Sequence, residues 1–126
     1  MGCDIYAHAE VNIDNRWEHL KEVGIYRNYE LFGILVKGHP RNSEYVEGPY
    51  EARGLPSDIN PLTKHIILQD ADHTFSYLNG IELKAINNLR YPFENYFFIE
   101  EAYYSYTISQ EIVSSDKFRL VFGFKC

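Results

Sequence analysis

The first thirteen residues alternate between apolar and polar side chains with a period of two. Successive side chains of a strand point to opposite faces, so this pattern predicts a strand over residues 3–13 with one apolar face. The opposite face carries a carboxylate, a phenol, an imidazole and a second carboxylate, each able to bond a polar ligand or exchange a proton. These four side chains are Asp4, Tyr6, His8 and Glu10.

Turn and cap signals divide the rest of the chain into short elements. Asp14-Asn15 predicts a hairpin turn, and Asn28, Asn60 and Asn79 predict helix N-caps. Glu82, three residues after Asn79, completes a capping-box pattern. The predicted helices span residues 29–37, 61–69 and 80–89. Further strands are predicted over 16–23, 73–78 and 117–125. One or two strands are predicted within 95–113, with a helix near 100–102 as the alternative.

These elements predict one domain spanning residues 1–126, with an α+β fold: a mainly antiparallel sheet and about three short helices packed on it. The stretch 38–60 has no periodic pattern and is rich in glycine and proline. A loop of this length inside a small domain is often functional, and a surface excursion is the alternative.

Charge and cysteine usage narrow the class of protein. The chain has 126 residues and a formal net charge of −6, which argues against binding to nucleic acid polymers but leaves room for a local anion site. No leader or membrane-spanning stretch is evident, so we expect a protein of the cytoplasm, without membrane contact. Cys3 and Cys126 are then expected as reduced thiols, although a bridge between terminal strands is geometrically conceivable.

Several polar clusters could carry chemistry, but none matches a standard catalytic motif. Arg27 and Arg53 lie beside turn residues, and an arginine fork suits phosphate or carboxylate. Residues 70–77 combine two carboxylates, an imidazole and three hydroxyls, and Arg119 and Lys125 share a face of the last strand. The two cysteines lack the spacing of a zinc pair. We therefore predict no metal and no cofactor.

Six stretches in a specific order carry a resemblance to a known family. They are Gly2-Cys3-Asp4-Ile5, Trp17-Glu18-His19, Arg27-Asn28-Tyr29-Glu30-Leu31-Phe32, Arg53-Gly54-Leu55-Pro56, His73-Thr74-Phe75-Ser76-Tyr77-Leu78 and Arg119-Leu120-Val121-Phe122. In these stretches the chain resembles a family of small uncharacterised phage and bacterial proteins that open with Met-Gly-Cys-Asp-Ile-His. The resemblance spans most of the chain and implies a phage context.

Two departures from the family pattern favour binding over catalysis. Tyr6 and Phe75 stand where the family tends to carry histidine, and aromatic rings are better suited to stacking than to proton transfer. We expect these two rings to sandwich a planar base, with Arg27 and Arg53 on its phosphates. The predicted ligand-binding residues are Asp4, Tyr6, His8, Arg27, Tyr29, Arg53, His73, Phe75 and Tyr77, and no catalytic residue is predicted.

Three functions follow as hypotheses. The favoured one is a phage-type protein that sequesters a small anionic ligand, a nucleotide-derived immune signal, in the host cytosol. The second is a phosphodiesterase-like hydrolase, with His73 or His8 as the acid–base group and Asp4 as its orienter. The third is an interaction module that inhibits a host factor through its aromatic and acidic surface. Self-association into a homo-oligomer stays open under all three.

Overall fold

The fold is α+β, as the sequence predicts, in a computed structural model that describes residues 2–25, 27, 29–37, 48–87 and 110–126. It combines a four-stranded antiparallel sheet with short helices. The elements are β1 (Asp4–Ile13), β2 (Arg16–Val23), α1 (Tyr29–Leu35), α2 (Pro61–Asp70), β3 (His73–Asn79), α3 (Gly80–Asn87), α4 (Gln110–Val113) and β4 (Phe118–Lys125).

The β1–β2 hairpin closes on the predicted turn. Asp14 and Asn15 have φ angles of 53° and 65°, the left-handed region that a tight two-residue hairpin turn requires at both central positions. Aspartate and asparagine tolerate this region better than other non-glycine residues. The strands then pair from Ile13 opposite Arg16, with a register shift between Ala9 and Glu10. The predicted bounds of the second strand are confirmed.

The first and last strands of the chain lie side by side at the centre of the sheet. The strand order is β2-β1-β4-β3, and the antiparallel register of β1 and β4 places Asp4 opposite Lys125. The next pair outward is Cys3 and Cys126, which form a disulfide. The expectation of two reduced thiols is therefore wrong in this structure, because strand pairing brings the two sulfurs together.

One face of the sheet supports the main hydrophobic core. Phe118, Leu120, Phe122 and Phe124 of β4 point to this face, together with the apolar residues of β1. Helices α1 and α3 cover it through buried side chains of both helices. These helical residues are Leu31, Phe32, Ile34, Leu35, Leu83 and Ile86.

The other face of the sheet is covered as well, which the alternating pattern of β1 does not predict. Helix α2 packs Ile67 and the adjoining Ala71 against Val121 of β4. His8 and Glu10, on the polar face of β1, are only 1% and 0% exposed. Buried charges and imidazoles must find partners within the protein, so this face is where the structure concentrates its polar contacts.

Two segments differ from their predicted structure. Helix α1 ends at Leu35, two residues before its predicted end. The backbone N–H of Lys37 donates to the carbonyl of Tyr50, so this residue pairs with the segment before α2 and does not continue the helix. Residues 110–113, within the predicted strand region 95–113, form α4 instead, and the N–H of Ser115 closes it on the carbonyl of Ile112. The Asn28 cap and the predictions for 38–47 and 88–109 lie outside the described residues.

The predicted capping box of α3 is present. The Asn79 Oδ1 atom accepts from the Glu82 N–H at 3.0 Å, and the Glu82 Oε1 atom accepts from the Asn79 N–H at 2.9 Å. We expect Asn79→Ala to lower the free energy of unfolding by about 1 kcal/mol, the usual cost of losing an N-cap. Urea denaturation checks this, with Asn79→Asp as the control that retains the acceptor. Equal losses in both variants would contradict a capping role.

Candidate functional site

A buried ion pair between the two central strands anchors the candidate site. The Arg119 Nε atom donates to Glu10 Oε1 at 2.8 Å, and Arg119 Nη2 lies 2.7 Å from the same oxygen. The two side chains are 5% and 0% exposed. Because β1 and β4 pair with Glu10 directly opposite Arg119, strand register alone brings these opposite charges together.

The guanidinium of Arg119 positions two further side chains. Its Nη1 atom donates to Asp58 Oδ1 at 2.8 Å, and its central carbon lies 3.8 Å from the centre of the Trp17 ring. The Trp17 indole N–H donates to Asp58 Oδ2 at 3.1 Å. Asp58 therefore links the cation and the aromatic ring, and the hydrogen bond from Arg119 is the main cause that lowers the pKa of this carboxyl. Asp58 is ionised at neutral pH.

Asn60 fixes the backbone of the segment that carries Asp58. Its side-chain oxygen accepts from the Leu62 N–H at 2.9 Å and caps α2, which begins with the favoured proline. Its side-chain amide donates to the Trp17 carbonyl at 3.0 Å, and its backbone N–H donates to Glu10 Oε2 at 3.0 Å. One residue thus starts the helix and joins it to both strands of the hairpin.

A cleft of about 420 Å³ opens beside this cluster. That volume lies within the usual range of small-molecule sites, roughly 300–1,000 Å³. The β1–β2 turn forms one wall and the residues leading into α2 form the other. The lining residues are Asn15, Arg16, Trp17, Glu18, Asp58, Ile59, Asn60 and Pro61.

The charges around the cleft are mixed. Asp58 is 64% exposed at its side chain although it bonds Arg119. The Arg16 side chain is 81% exposed, and its contact with Glu18 is a loose one at 3.5 Å. The cleft therefore offers a half-buried aromatic ring, a fixed carboxylate and an exposed cation, which is a set suited to an amphipathic, planar ligand.

None of the nine ligand-binding residues predicted from the sequence lines this cleft. Asp4, Arg27 and Tyr29 meet near the start of β1: Arg27 Nε donates to Asp4 Oδ1 at 3.0 Å, and the Tyr29 hydroxyl accepts from the Cys3 N–H at 3.1 Å. The guanidinium expected on a phosphate is paired with a carboxylate of the protein.

Arg53 is bonded within the protein in the same way. Its Nη1 atom donates to Glu82 Oε1 at 2.8 Å and to the Tyr77 carbonyl at 3.1 Å. Its guanidinium also lies over the rings of Tyr50 and Tyr77, at 5.2 and 5.6 Å from their centres. Arg53 therefore joins the segment before α2 to β3 and α3.

Tyr6 and Phe75 lie on the sheet face that α2 covers. Both are partly buried against the Ile67, Ala71 and Val121 cluster. An added Cβ at Gly123 would come within 2.6 Å of the Phe75 ring, so that glycine makes room for the ring. The two aromatic residues help to attach α2 to the sheet, which is a packing role.

His8, which is buried, and His19, which is partly exposed, form an imidazole pair on the same face. His8 Nδ1 and His19 Nε2 are 3.1 Å apart. Burial, reinforced by the positive charge that His19 can carry, lowers the pKa of His8 to about 4, so His8 is neutral at pH 7. Among the described residues, no group hydrogen-bonds His8 Nε2.

His73, the other predicted imidazole, lies beside Cys126, with 3.2 Å between Nε2 and Sγ.

Comparisons with known proteins leave the family open. No protein-family model matches the chain, and no curated protein or solved structure matches it. Within the described ranges, no group of three or more His, Cys, Asp or Glu side chains is arranged to hold a metal ion. No helix of that part of the chain is long and apolar enough to cross a bilayer.

Sequence reasoning missed Trp17 and Asp58 and left Arg119 outside the predicted site. One signal for Arg119 is present in the sequence. Phe118 and Leu120, its neighbours in the chain, are apolar and point to the opposite face of the strand. Val121 and Gly123, which share a face with Arg119, are not polar either. An arginine in a strand that is apolar on both faces needs a buried partner, and the polar face of the first strand offers two carboxylates, Asp4 and Glu10.

Proposed function

We propose that the protein binds a small nucleotide-type ligand in the cleft beside Trp17 and does not transform it. The observation that carries this proposal is a half-buried indole fixed in place by Arg119 and Asp58 at the wall of a cleft. A ring that is already held costs little conformational entropy when a ligand stacks on it. The proposed binding site is therefore this cleft, and not the residues predicted from the sequence.

Trp17 and Asp58 together suit a nucleobase. The part of the indole surface that faces the cleft can stack on a planar heterocycle, and such stacking contributes about 1–3 kcal/mol. Each Asp58 oxygen accepts one bond from the protein, and a carboxylate oxygen has a second lone pair. The proposed ligand therefore presents an edge with N–H donors to Asp58.

Arg16 is the cation that we assign to the phosphate of the ligand. Its exposed pair with Glu18 contributes little, because solvent-exposed ion pairs are worth about 0–1 kcal/mol. Exchanging that pair for a bidentate phosphate contact is favourable. Arg27 and Arg53 would have to break shorter hydrogen bonds to carboxylates of the protein before they could bind a phosphate.

Binding rather than hydrolysis fits the side chains that line the cleft. Within the part of the chain that the structure describes, they include no histidine or cysteine. The pKa of Asp58 is lowered by Arg119, so its carboxyl has no proton to donate to a leaving group at neutral pH. The biological part of the proposal, sequestration of a nucleotide-derived immune signal in a host cytoplasm, rests on the resemblance to a phage and bacterial family.

Fluorescence tests the proposal directly, because Trp17 is the single tryptophan of the chain. Cyclic dinucleotides, cyclic mononucleotides and ADP-ribose derivatives are titrated against the protein, and we expect at least one to quench the indole emission saturably. Calorimetry with Trp17→Ala should then show affinity reduced about 5- to 140-fold, the equivalent of one lost stacking contact. Chromatography of the recovered ligand should show it intact.

Matched arginine variants separate the proposed site from the one predicted from the sequence. Arg16→Gln should weaken binding, whereas Arg27→Gln should leave it unchanged because Arg27 lies at the start of β1 beside Asp4. The reverse result would move the site to the Asp4, Arg27 and Tyr29 group. Absence of quenching and of thermal stabilisation by every nucleotide tested would refute the proposed function.

A further inference from the structure

The Cys3–Cys126 disulfide lies at the outer end of the central strand pair, next to His73. Cys3 is fully buried and Cys126 is exposed, so solvent and solutes reach the disulfide from the Cys126 side. Sulfur accessibility decides which atom of a disulfide an external thiol attacks. The structure therefore gives the two sulfurs unequal roles.

His73 is held with one ring nitrogen against the sulfur of the exposed residue Cys126. Its Nε2 atom lies 3.2 Å from Cys126 Sγ, and its Nδ1 atom lies 2.8 Å from the Thr74 hydroxyl oxygen. An imidazolium would donate both of its N–H bonds in this position, one to Thr74 Oγ1 and one to a thiolate at Cys126. Both ring nitrogens of His73 therefore have a partner, and Nε2 is placed to donate a hydrogen bond to a thiolate at Cys126.

The backbone next to His73 is strained. Thr74 has a φ angle of 56°, which is a genuine outlier for a β-branched residue. The pairing of β3 with β4 is irregular between His73 and Ser76. Strain of this kind occurs most often where a functional side chain has to be positioned. Here it brings the Thr74 hydroxyl to His73 and His73 to the sulfur.

We propose that Cys3 and Cys126 are a redox-active pair that exchanges with thiols at Cys126, and that His73 is the positioning residue that holds Cys126 as a thiolate. An external thiolate forms a bond to Cys126 Sγ, the Cys3–Cys126 bond breaks, and its electron pair leaves on Cys3, which takes up a proton. A second thiolate attacks the mixed disulfide and releases Cys126. In sum, two thiols are oxidised to one disulfide and the protein disulfide is reduced to two thiols.

The charged groups near this site carry both signs. Asp72, just before β3, places an oxygen 3.9 Å from His73 Nε2. The Asp4 carboxylate forms an ion pair with Arg27. Lys125, the last residue of β4, is a cation directly before Cys126 in the chain. This part of the inference rests on the proposed function: the cytoplasm proposed there keeps thiols reduced, and disulfides in cytosolic proteins are usually catalytic or redox-sensing.

Alkylation of the reduced protein tests the proposal. The rate at which iodoacetamide modifies Cys126 is measured from pH 4 to pH 10 by mass spectrometry. We expect a midpoint at or below about 7.5, as for thiols beside a histidine cation. His73→Gln should move it to about 8.5. His65→Gln, which removes an exposed histidine of α2, is the control and should leave the profile unchanged. A wild-type midpoint near 8.5 would overturn the proposal.

A second measurement does not depend on the fold of the His73 variant. Cys3→Ser lacks the second sulfur, so incubation with oxidised glutathione should leave one glutathione on Cys126. If oxidised glutathione does not modify this variant, or if dithiothreitol leaves the native disulfide intact without denaturant, exchange at this site is excluded. Retention of one zinc ion by the reduced protein, with both thiols protected, would assign a metal site in its place.

Discussion

Arg119→Met is expected to lower the free energy of unfolding by about 3–5 kcal/mol, the usual cost of removing one partner of a buried ion pair. The variant would leave the Glu10 carboxylate fully buried, with the Asn60 N–H still donating to it but with no cation beside it. It would also release Asp58 and uncover one face of Trp17. Urea denaturation followed by far-ultraviolet circular dichroism at pH 7 measures the loss.

A double variant shows how much of that loss in stability comes from the buried Glu10 carboxylate that is left without its cation. In Glu10→Met with Arg119→Met, the ion pair is replaced by apolar side chains, and such replacements are often neutral or stabilising. We expect most of the lost stability to return. Lys125→Met, an exposed charge on the same strand, is the control and should change stability by less than about 0.5 kcal/mol. A loss below about 1 kcal/mol in Arg119→Met would show that the pair is not structurally important.

The elements that could be predicted from the sequence are those specified by short stretches. Asp14-Asn15 supplies both left-handed residues of the hairpin, and Asn60-Pro61 supplies the cap and first residue of α2. Asn79 and Glu82 form their capping box across three residues. In each case the residues that determine the structure are neighbours in the chain, so local preferences are sufficient.

The candidate site could not be read in the same way because its contacts join distant parts of the chain. Arg119 is 109 residues from Glu10 and 61 from Asp58. Alternation in β1 shows which side chains share a face, but not whether another element covers that face. Helix α2 covers it, and side chains expected to meet a ligand bond or pack within the protein instead.

The placement of the arginines has a second physical reason. The chain carries 18 acidic and 12 basic side chains, without counting histidines, so carboxylates outnumber the cations that can neutralise them. Arg27 and Arg53, predicted to hold phosphates, are paired with Asp4 and Glu82. In an acidic protein, a cation beside a loop is more often met by a carboxylate of the chain than by a ligand. Arg16 keeps the loosest of these pairs, which is why the proposed phosphate contact falls to it.

Lowering the pH from 6.5 to 4 is expected to remove about 3 kcal/mol of stability through His8. Its pKa falls from 6.5 in the unfolded chain to about 4 in the folded protein, chiefly because burial disfavours the charged ring. Between these values the unfolded chain binds a proton that the folded protein does not, so stability rises with pH across this window. The change is about 2.5 units, at 1.36 kcal/mol for each unit. Urea denaturation at half-unit steps measures the slope.

His8→Phe removes the titrating group from the pair while keeping an aromatic ring, and its stability should depend much less on pH between 6.5 and 4. His19, whose pKa is also lowered by burial, accounts for part of the slope that remains. His65→Gln, which removes a histidine from an exposed position of α2, is the control and should leave the slope unchanged. Below pH 4 both variants should lose stability together with the wild type, since the lowered pKa values of Asp58 and Glu82 make their carboxylates stabilising only while ionised. A slope in His8→Phe equal to that of the wild type would show that His8 does not govern the acid sensitivity of the fold.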